Sequence, residues 1–145
     1  MAAVTLMARD RNGLAILAQL LLSPMLHDRN DSPSAQQTRG LGIWDSSSNK
    51  TGWHAPLGDG IRGGPDVSSY AAPSRAANLS GLPSTFVDVG SAETFRDEDV
   101  AYANRMWQAG VTKLRASPRW VRGTGGGFKP GRPRGSRSCA LTRSR

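Results

Sequence analysis

Apolar residues are concentrated in a few short runs that are separated by long polar stretches. Residues 2–9 predict the end of a helix that stops near Asn12 and Gly13. The run Leu14–Ser23 is apolar without strict alternation, which indicates a strand buried on both faces of a parallel sheet. A buried helix is the competing interpretation, because periodicity alone does not separate the two. Residues 27–40 are polar and predict a loop.

The elements in the middle of the chain are predicted from capping residues, glycines and one further apolar run. Asp45 or a nearby serine can cap a short helix that extends through Trp53. Residues 58–75 are rich in Gly, Pro and Ser and predict a long connection. Thr85–Gly90 has the composition of a second strand.

Phe95–Gly110 is the clearest helix in the sequence, with acidic residues early, a basic residue late and a glycine at its stop. Spacings of three and four residues predict one apolar face, made of Val100, Ala103 and Trp107. We expect the acidic residues in its first turn to be largely solvated: Asp97, Glu98 and Asp99.

The order of strand, long connection, strand and helix predicts an α/β fold, in which helices cover an open parallel sheet. Leu14–Ser23 and Thr85–Val89 are expected to be neighbouring parallel strands. Two strands cannot complete such a sheet, so the missing strands lie outside this chain, come from another chain or do not exist. The expected fold is therefore an incomplete α/β layer.

Charge is divided unevenly along the 145 residues, whose formal net charge is +8. Residues 1–111 hold nine Lys and Arg against 11 Asp and Glu, while residues 112–145 hold ten basic residues and no acidic one. This division predicts a partial globular domain over 1–111 and a disordered basic tail over 112–145. Affinity of the tail for nucleic acid or another polyanion is the alternative function.

The residues present give little support to cofactor, metal or membrane chemistry. Cys139 is the only cysteine, so no intrachain disulfide can form, which fits a cytoplasmic protein. No cysteine or histidine cluster predicts zinc, and no phosphate-binding loop is found, so we expect neither a metal nor a cofactor. No apolar run reaches the roughly 18 residues of a membrane-spanning helix.

Three segments carry a family resemblance: Leu20–Arg29, Tyr70–Pro83 and, most strongly, Val87–Ala103. In combination they resemble the hormone-sensitive-lipase-like esterases and lipases of the α/β-hydrolase superfamily, from near residue 2 to about Val111. The resemblance implies a serine-type hydrolase of small carboxylic esters, with nucleophile, acid and histidine in that chain order.

The resemblance also places the acid of the catalytic triad at Glu93. Such a carboxylate holds the general-base histidine in one tautomer and stabilises the imidazolium that forms. From spacing alone, the simpler interpretation of Glu93 is an acid near a helix N-terminus, where negative charge is favoured. His27 and His54 match non-catalytic segments of the family, so we expect surface or lid contacts for both.

The remaining catalytic motifs of the family do not occur in the 145 residues. There is no Gly-x-Ser-x-Gly nucleophile elbow, no oxyanion-hole motif of the His-Gly-Gly-Gly type, and no histidine after His54. We therefore expect the chain to begin just after the elbow and to be catalytically incompetent by itself. The abrupt change of composition near Val111–Arg115 suggests a shift of reading frame that removes the family's histidine motif.

Overall fold

The computed structural model describes residues 1–58, 60–111 and 115–119. Strands and helices alternate along it, as an α/β fold requires. The elements in chain order are α1 (Ala2–Asp10), β1 (Ala18–Leu22), α2 (Pro33–Gln37), α3 (Ser46–Leu57), a 3₁₀ turn (Pro73–Arg75), β2 (Ser84–Gly90), α4 (Arg96–Gln108) and β3 (Arg115–Arg119).

The three strands form one parallel sheet in the order β1–β2–β3. Leu21 of β1 pairs with Val87 of β2, and Val87 pairs with Ala116 of β3. The expected parallel neighbours are therefore confirmed, although the first strand begins only at Ala18. This arrangement is the short parallel sheet with covering helices that the sequence predicts for an α/β layer.

Strand β3 lies in the range that the sequence assigned to a disordered tail. The expectation of irregular structure from residue 112 onward is wrong for Arg115–Arg119, which pair with β2 over their whole length. The segment contains Pro118 and little apolar character, and such a segment is tolerated at a sheet edge because fewer ladder hydrogen bonds are needed there. The disorder expected for residues 120–145 lies outside the described residues.

One buried apolar cluster joins the sheet to helices α1 and α4. Leu6 of α1, Leu21 of β1, Val87 of β2, and Tyr102 and Met106 of α4 all belong to it. Complete burial of a side chain of this size stabilises a fold by roughly 1.5–3 kcal/mol. Because both helices contribute to the same cluster, they cover the same face of the sheet.

The expectation that β1 is buried on both faces is wrong. Gln19 and Leu21 are buried, whereas Leu20 and Leu22 on the opposite face are exposed. The buried face is also partly polar, since the Gln19 amide donates to Thr85 Oγ1 at 2.9 Å and its carbonyl oxygen accepts from Thr5 Oγ1 at 2.9 Å. Helices α1 and α4 pack on the face that contains Leu21, while the two leucines of the opposite face are exposed.

The predicted apolar face of α4 is also wrong. Val100 and Trp107 are 48% and 49% exposed, and of the three predicted residues only Ala103 is buried. The buried face of α4 instead consists of Glu98, Asp99, Tyr102, Ala103 and Met106. A search for apolar residues could not find this face, because two of its five members are acids.

Two short helices flank the loops that follow β1. Helix α3 is capped by Asp45, as predicted, with Oδ1 accepting from Ser48 N at 2.8 Å. Helix α2 lies within the predicted loop 27–40 and is capped by Ser32, whose hydroxyl accepts from Ala35 N. In the part of the chain that the structure describes, no helix is long and apolar enough to cross a membrane.

Candidate active site

Glu93 lies in the turn that joins β2 to α4, just past Gly90 at the carboxyl end of the strand. Catalytic groups of open α/β sheets gather at this edge. The turn is tight: Glu93 N donates to Gly90 O at 3.2 Å, and Arg96 N donates to Glu93 O at 3.3 Å. The chain thus passes from strand to helix with Glu93 at the carboxyl edge of the sheet.

Gly90 makes room for the Glu93 side chain. A Cβ atom at position 90 would lie 2.8 Å from Glu93 Oε1 and 3.0 Å from its Cδ, closer than real Cβ contacts allow. The carboxylate therefore folds back over the end of β2, and any side chain at position 90 would displace it.

Polar contacts from α2 and α4 fix the backbone of the same turn. Arg96 Nη1 donates to Ser91 O at 3.0 Å, and Ser34 Oγ donates to Thr94 O at 2.8 Å. Thr94 Oγ1 in turn donates to Trp44 O at 3.1 Å. Contacts on both sides of Glu93 hold the turn in one conformation, which a group that must orient a partner requires.

The two histidines differ in their surroundings. His27 Nδ1 lies 3.0 Å from Ser74 Oγ and its Nε2 lies 3.0 Å from Asp31 Oδ1, so both ring nitrogens of His27 are engaged away from Glu93. His54 is exposed on α3. Glu93 Oε2 is buried and has no hydrogen-bond partner within the described residues.

The expectation that the acids at the start of α4 are solvated is wrong for Glu98 and Asp99, which are buried. Burial is the largest influence on both: it raises the pKa of Glu98 to about 8, and burial together with the charges of Glu98 and Glu93 raises the pKa of Asp99 to about 9. Asp97 is half-buried and accepts from Ser34 N at 2.8 Å, and its pKa is lowered, first by the hydrogen bond from Arg96. The first turn of α4 therefore faces protein rather than water, and the pKa values of its two buried acids are raised.

Sequence reasoning missed the cross-links between the loop after β1 and the 3₁₀ turn. His27 contacts Ser74, and Asp28 accepts from Arg75 Nε at 2.6 Å and from Arg75 Nη2 at 2.7 Å. Each pair is separated by 47 positions in the chain. No periodicity or motif in one sequence brings such positions together.

Comparison with known proteins supports the esterase resemblance. A family profile described as alpha/beta hydrolase fold matches residues 1–119. A bacterial heroin esterase is 36% identical, with a TM-score of 0.75, and the match covers 79% of this chain and 37% of that one. An esterase, LipW, from Mycobacterium marinum is 31% identical, with a TM-score of 0.70 and coverage of 81% and 36%. No match was found among the curated proteins.

A thermostable esterase from Pseudomonas putida is also similar, with 30% identity, a TM-score of 0.60 and coverage of 79% of this chain and 35% of that one. The chain thus spans little more than a third of the length of these solved esterases. The profile match over most of the chain, the parallel sheet and the acid-bearing turn after β2 agree with one another. The chain belongs to the alpha/beta hydrolase fold family.

Proposed function

We propose that this chain is the acid-bearing part of a serine-type carboxylic-ester hydrolase, with Glu93 as the triad acid. The observation that carries the proposal is the buried Glu93 Oε2, which stands at the carboxyl edge of the sheet with no hydrogen-bond partner within the described residues. A buried acceptor without a donor costs about 1–3 kcal/mol. The N–H of a triad histidine is a donor of the kind this oxygen lacks.

We further propose that the 145-residue chain does not turn over esters by itself. It contains no nucleophile elbow and no oxyanion-hole motif, and neither ring nitrogen of His27 is directed to Glu93. The abrupt change of composition near Val111–Arg115 supports the further proposal that a shift of reading frame there removes the family's histidine motif. The coding DNA tests the proposed shift of reading frame. If no adjacent frame encodes the family's histidine motif, that proposal is wrong.

The substrate class of the proposal is a small carboxylic ester, because the similar solved structures are named esterases. A cytoplasmic location belongs to the same proposal and rests on the single cysteine. Polyanion binding by the tail gains no support from the described residues, which contain only the first part of that basic segment.

The experiment is a chimera in which residues 1–111 replace the matching segment of the bacterial heroin esterase. Glu93→Gln should lower kcat for a short-chain ester by about 10⁴-fold, because the histidine loses the group that fixes its tautomer. Glu98→Gln, a matched change that preserves a neutral side chain at a buried position of α4, should retain kcat. Equal losses in the two variants would contradict the role of Glu93.

A further inference from the structure

Ser74, His27 and Asp31 form a hydrogen-bonded chain that shares no residue with the Glu93 turn. Ser74 Oγ lies 3.0 Å from His27 Nδ1, and His27 Nε2 lies 3.0 Å from Asp31 Oδ1. A hydroxyl, an imidazole and a carboxylate in this order are the parts that activate a serine as a nucleophile. The two distances are within the range for direct proton transfer.

The carboxylate sets the tautomer that such chemistry needs. An ionised Asp31 only accepts hydrogen bonds, so its contact with His27 is satisfied when Nε2 carries the proton. Nδ1 is then the unprotonated nitrogen, and it accepts the hydroxyl hydrogen of Ser74. The proton on Ser74 is therefore directed at a base rather than at a backbone carbonyl.

Neighbouring contacts fix both partners in place. Next to His27 and Ser74, the fully buried Asp28 carboxylate forms a bidentate ion pair with Arg75 at 2.6 and 2.7 Å. Ser74 N donates to Leu26 O at 3.1 Å, and Ser74 O accepts from the Arg105 guanidinium. These contacts hold the loop after β1 against the 3₁₀ turn. Ser74 and His27 are therefore kept close by bonds other than the one between their side chains.

The three hydrogen-bonded side chains are accessible to small molecules. His27, Asp31 and Ser74 line an open groove of about 360 Å³, which Tyr102 and Arg105 also line. The Asp31 side chain is 64% exposed and that of His27 is 23% exposed. An electrophile of a few heavy atoms can therefore approach the serine hydroxyl.

We propose that Ser74 is a reactive serine that accepts an acyl group from a small activated ester in this groove. Ser74 Oγ attacks the carbonyl carbon while its proton passes to His27 Nδ1, and Asp31 stabilises the imidazolium. The bond from the carbonyl carbon to the alcohol oxygen then breaks, and the imidazolium returns the proton to the departing alkoxide. The products are acyl-Ser74 and the free alcohol, and the proposal extends to acylation only.

The test uses the full chain with p-nitrophenyl acetate, with release of p-nitrophenol followed together with the mass of the protein. We expect one equivalent of p-nitrophenol in a single phase and one added acetyl group. The tryptic peptide 63–75 contains Ser68, Ser69 and Ser74, so fragment ions must place the acetyl group on Ser74. Ser74→Ala should remove it.

Variants of the partners separate an activated serine from one that is merely hydrogen-bonded. His27→Gln should slow acetylation of Ser74 by roughly 100-fold, the scale of general-base assistance. Asp31→Asn, an exposed change, should slow it by a smaller factor, while His54→Gln, a matched change of the other histidine, should leave the rate unaltered. Thermal unfolding of each variant confirms that it is folded.

Acetylation of Ser74 no faster than that of Ser32, which lines the same groove without a histidine partner, would overturn the proposal. An unchanged rate in a folded His27→Gln protein would do the same. Neither result bears on Glu93, because kcat of the chimera reports on that residue separately.

Discussion

The loop after β1 and the first turn of α4 each contain a completely buried aspartate, Asp28 and Asp99. Asp28 accepts two hydrogen bonds from Arg75 and one from Gly63 N at 2.7 Å, whereas neither oxygen of Asp99 has a hydrogen-bond partner within the described residues. Desolvation is the largest influence on both and raises the pKa. At Asp28 the hydrogen bonds and the Arg75 charge outweigh it and the pKa is lowered, while the pKa of Asp99 rises to about 9.

Burial alone does not decide whether a carboxyl group in this protein is ionised. Asp28 remains ionised because a cation and a backbone N–H meet it from distant parts of the chain. Asp99 has two acidic neighbours, Glu98 and Glu93, whose charges disfavour its ionisation further. The loop after β1 therefore buries an ionised carboxylate, Asp28, whereas the first turn of α4 buries a protonated carboxyl group, Asp99.

The largest effect is expected when the ion pair is broken from one side. Arg75→Leu leaves the Asp28 carboxylate buried without its cation, which should lower the free energy of unfolding by about 3–5 kcal/mol at pH 7. Urea denaturation measures this change in the free energy of unfolding. The double variant Asp28→Asn with Arg75→Leu should recover part of the loss, because no buried charge remains. Equal losses in the single and double variants would show that charge is not the reason.

A second effect appears only when pH is varied. Because the pKa of Asp99 is raised from 3.8 to about 9 on folding, its contribution to stability is complete below pH 4 and is lost as pH rises through about 9. Asp99→Asn should remove up to about 1.4 kcal/mol per pH unit from the dependence of the unfolding free energy on pH. Denaturation at pH 5, 6.5 and 8 provides the measurement, with Asp97→Asn as the control. Parallel curves for Asp99→Asn and the unaltered chain would contradict the neutral state of Asp99.

These differences mark the limit of what the sequence could predict. Parallel pairing of the first two strands was expected from the order of elements along the chain, and the Asp45 cap from a local pattern that neighbouring residues determine. The burial of Glu98 and Asp99 does not, since a run of acids at a helix start has the same local pattern whether it faces water or protein. The place of Glu93 could be expected only through the family resemblance, and its role remains a proposal.

The smallest effect concerns a carboxylate that has hydrogen bonds but is only half-buried. Asp45 Oδ1 accepts from Ser48 N at 2.8 Å and Oδ2 accepts from Gly40 N at 3.0 Å, and these bonds, the one from Ser48 foremost, lower its pKa from 3.8 to about 2. The folded state favours the ionised form, so the stability it contributes is present above pH 4 and is lost as pH falls through about 2. Asp45→Ala should lower the midpoint of thermal unfolding at pH 7 by less than Arg75→Leu does, because water replaces part of the lost contacts at this half-buried cap. Asp45→Asn keeps a side-chain acceptor for α3 and should restore most of the midpoint. It should nevertheless lose the acid sensitivity between pH 4 and 2, and if it retained that sensitivity, the titration would belong to another carboxyl group.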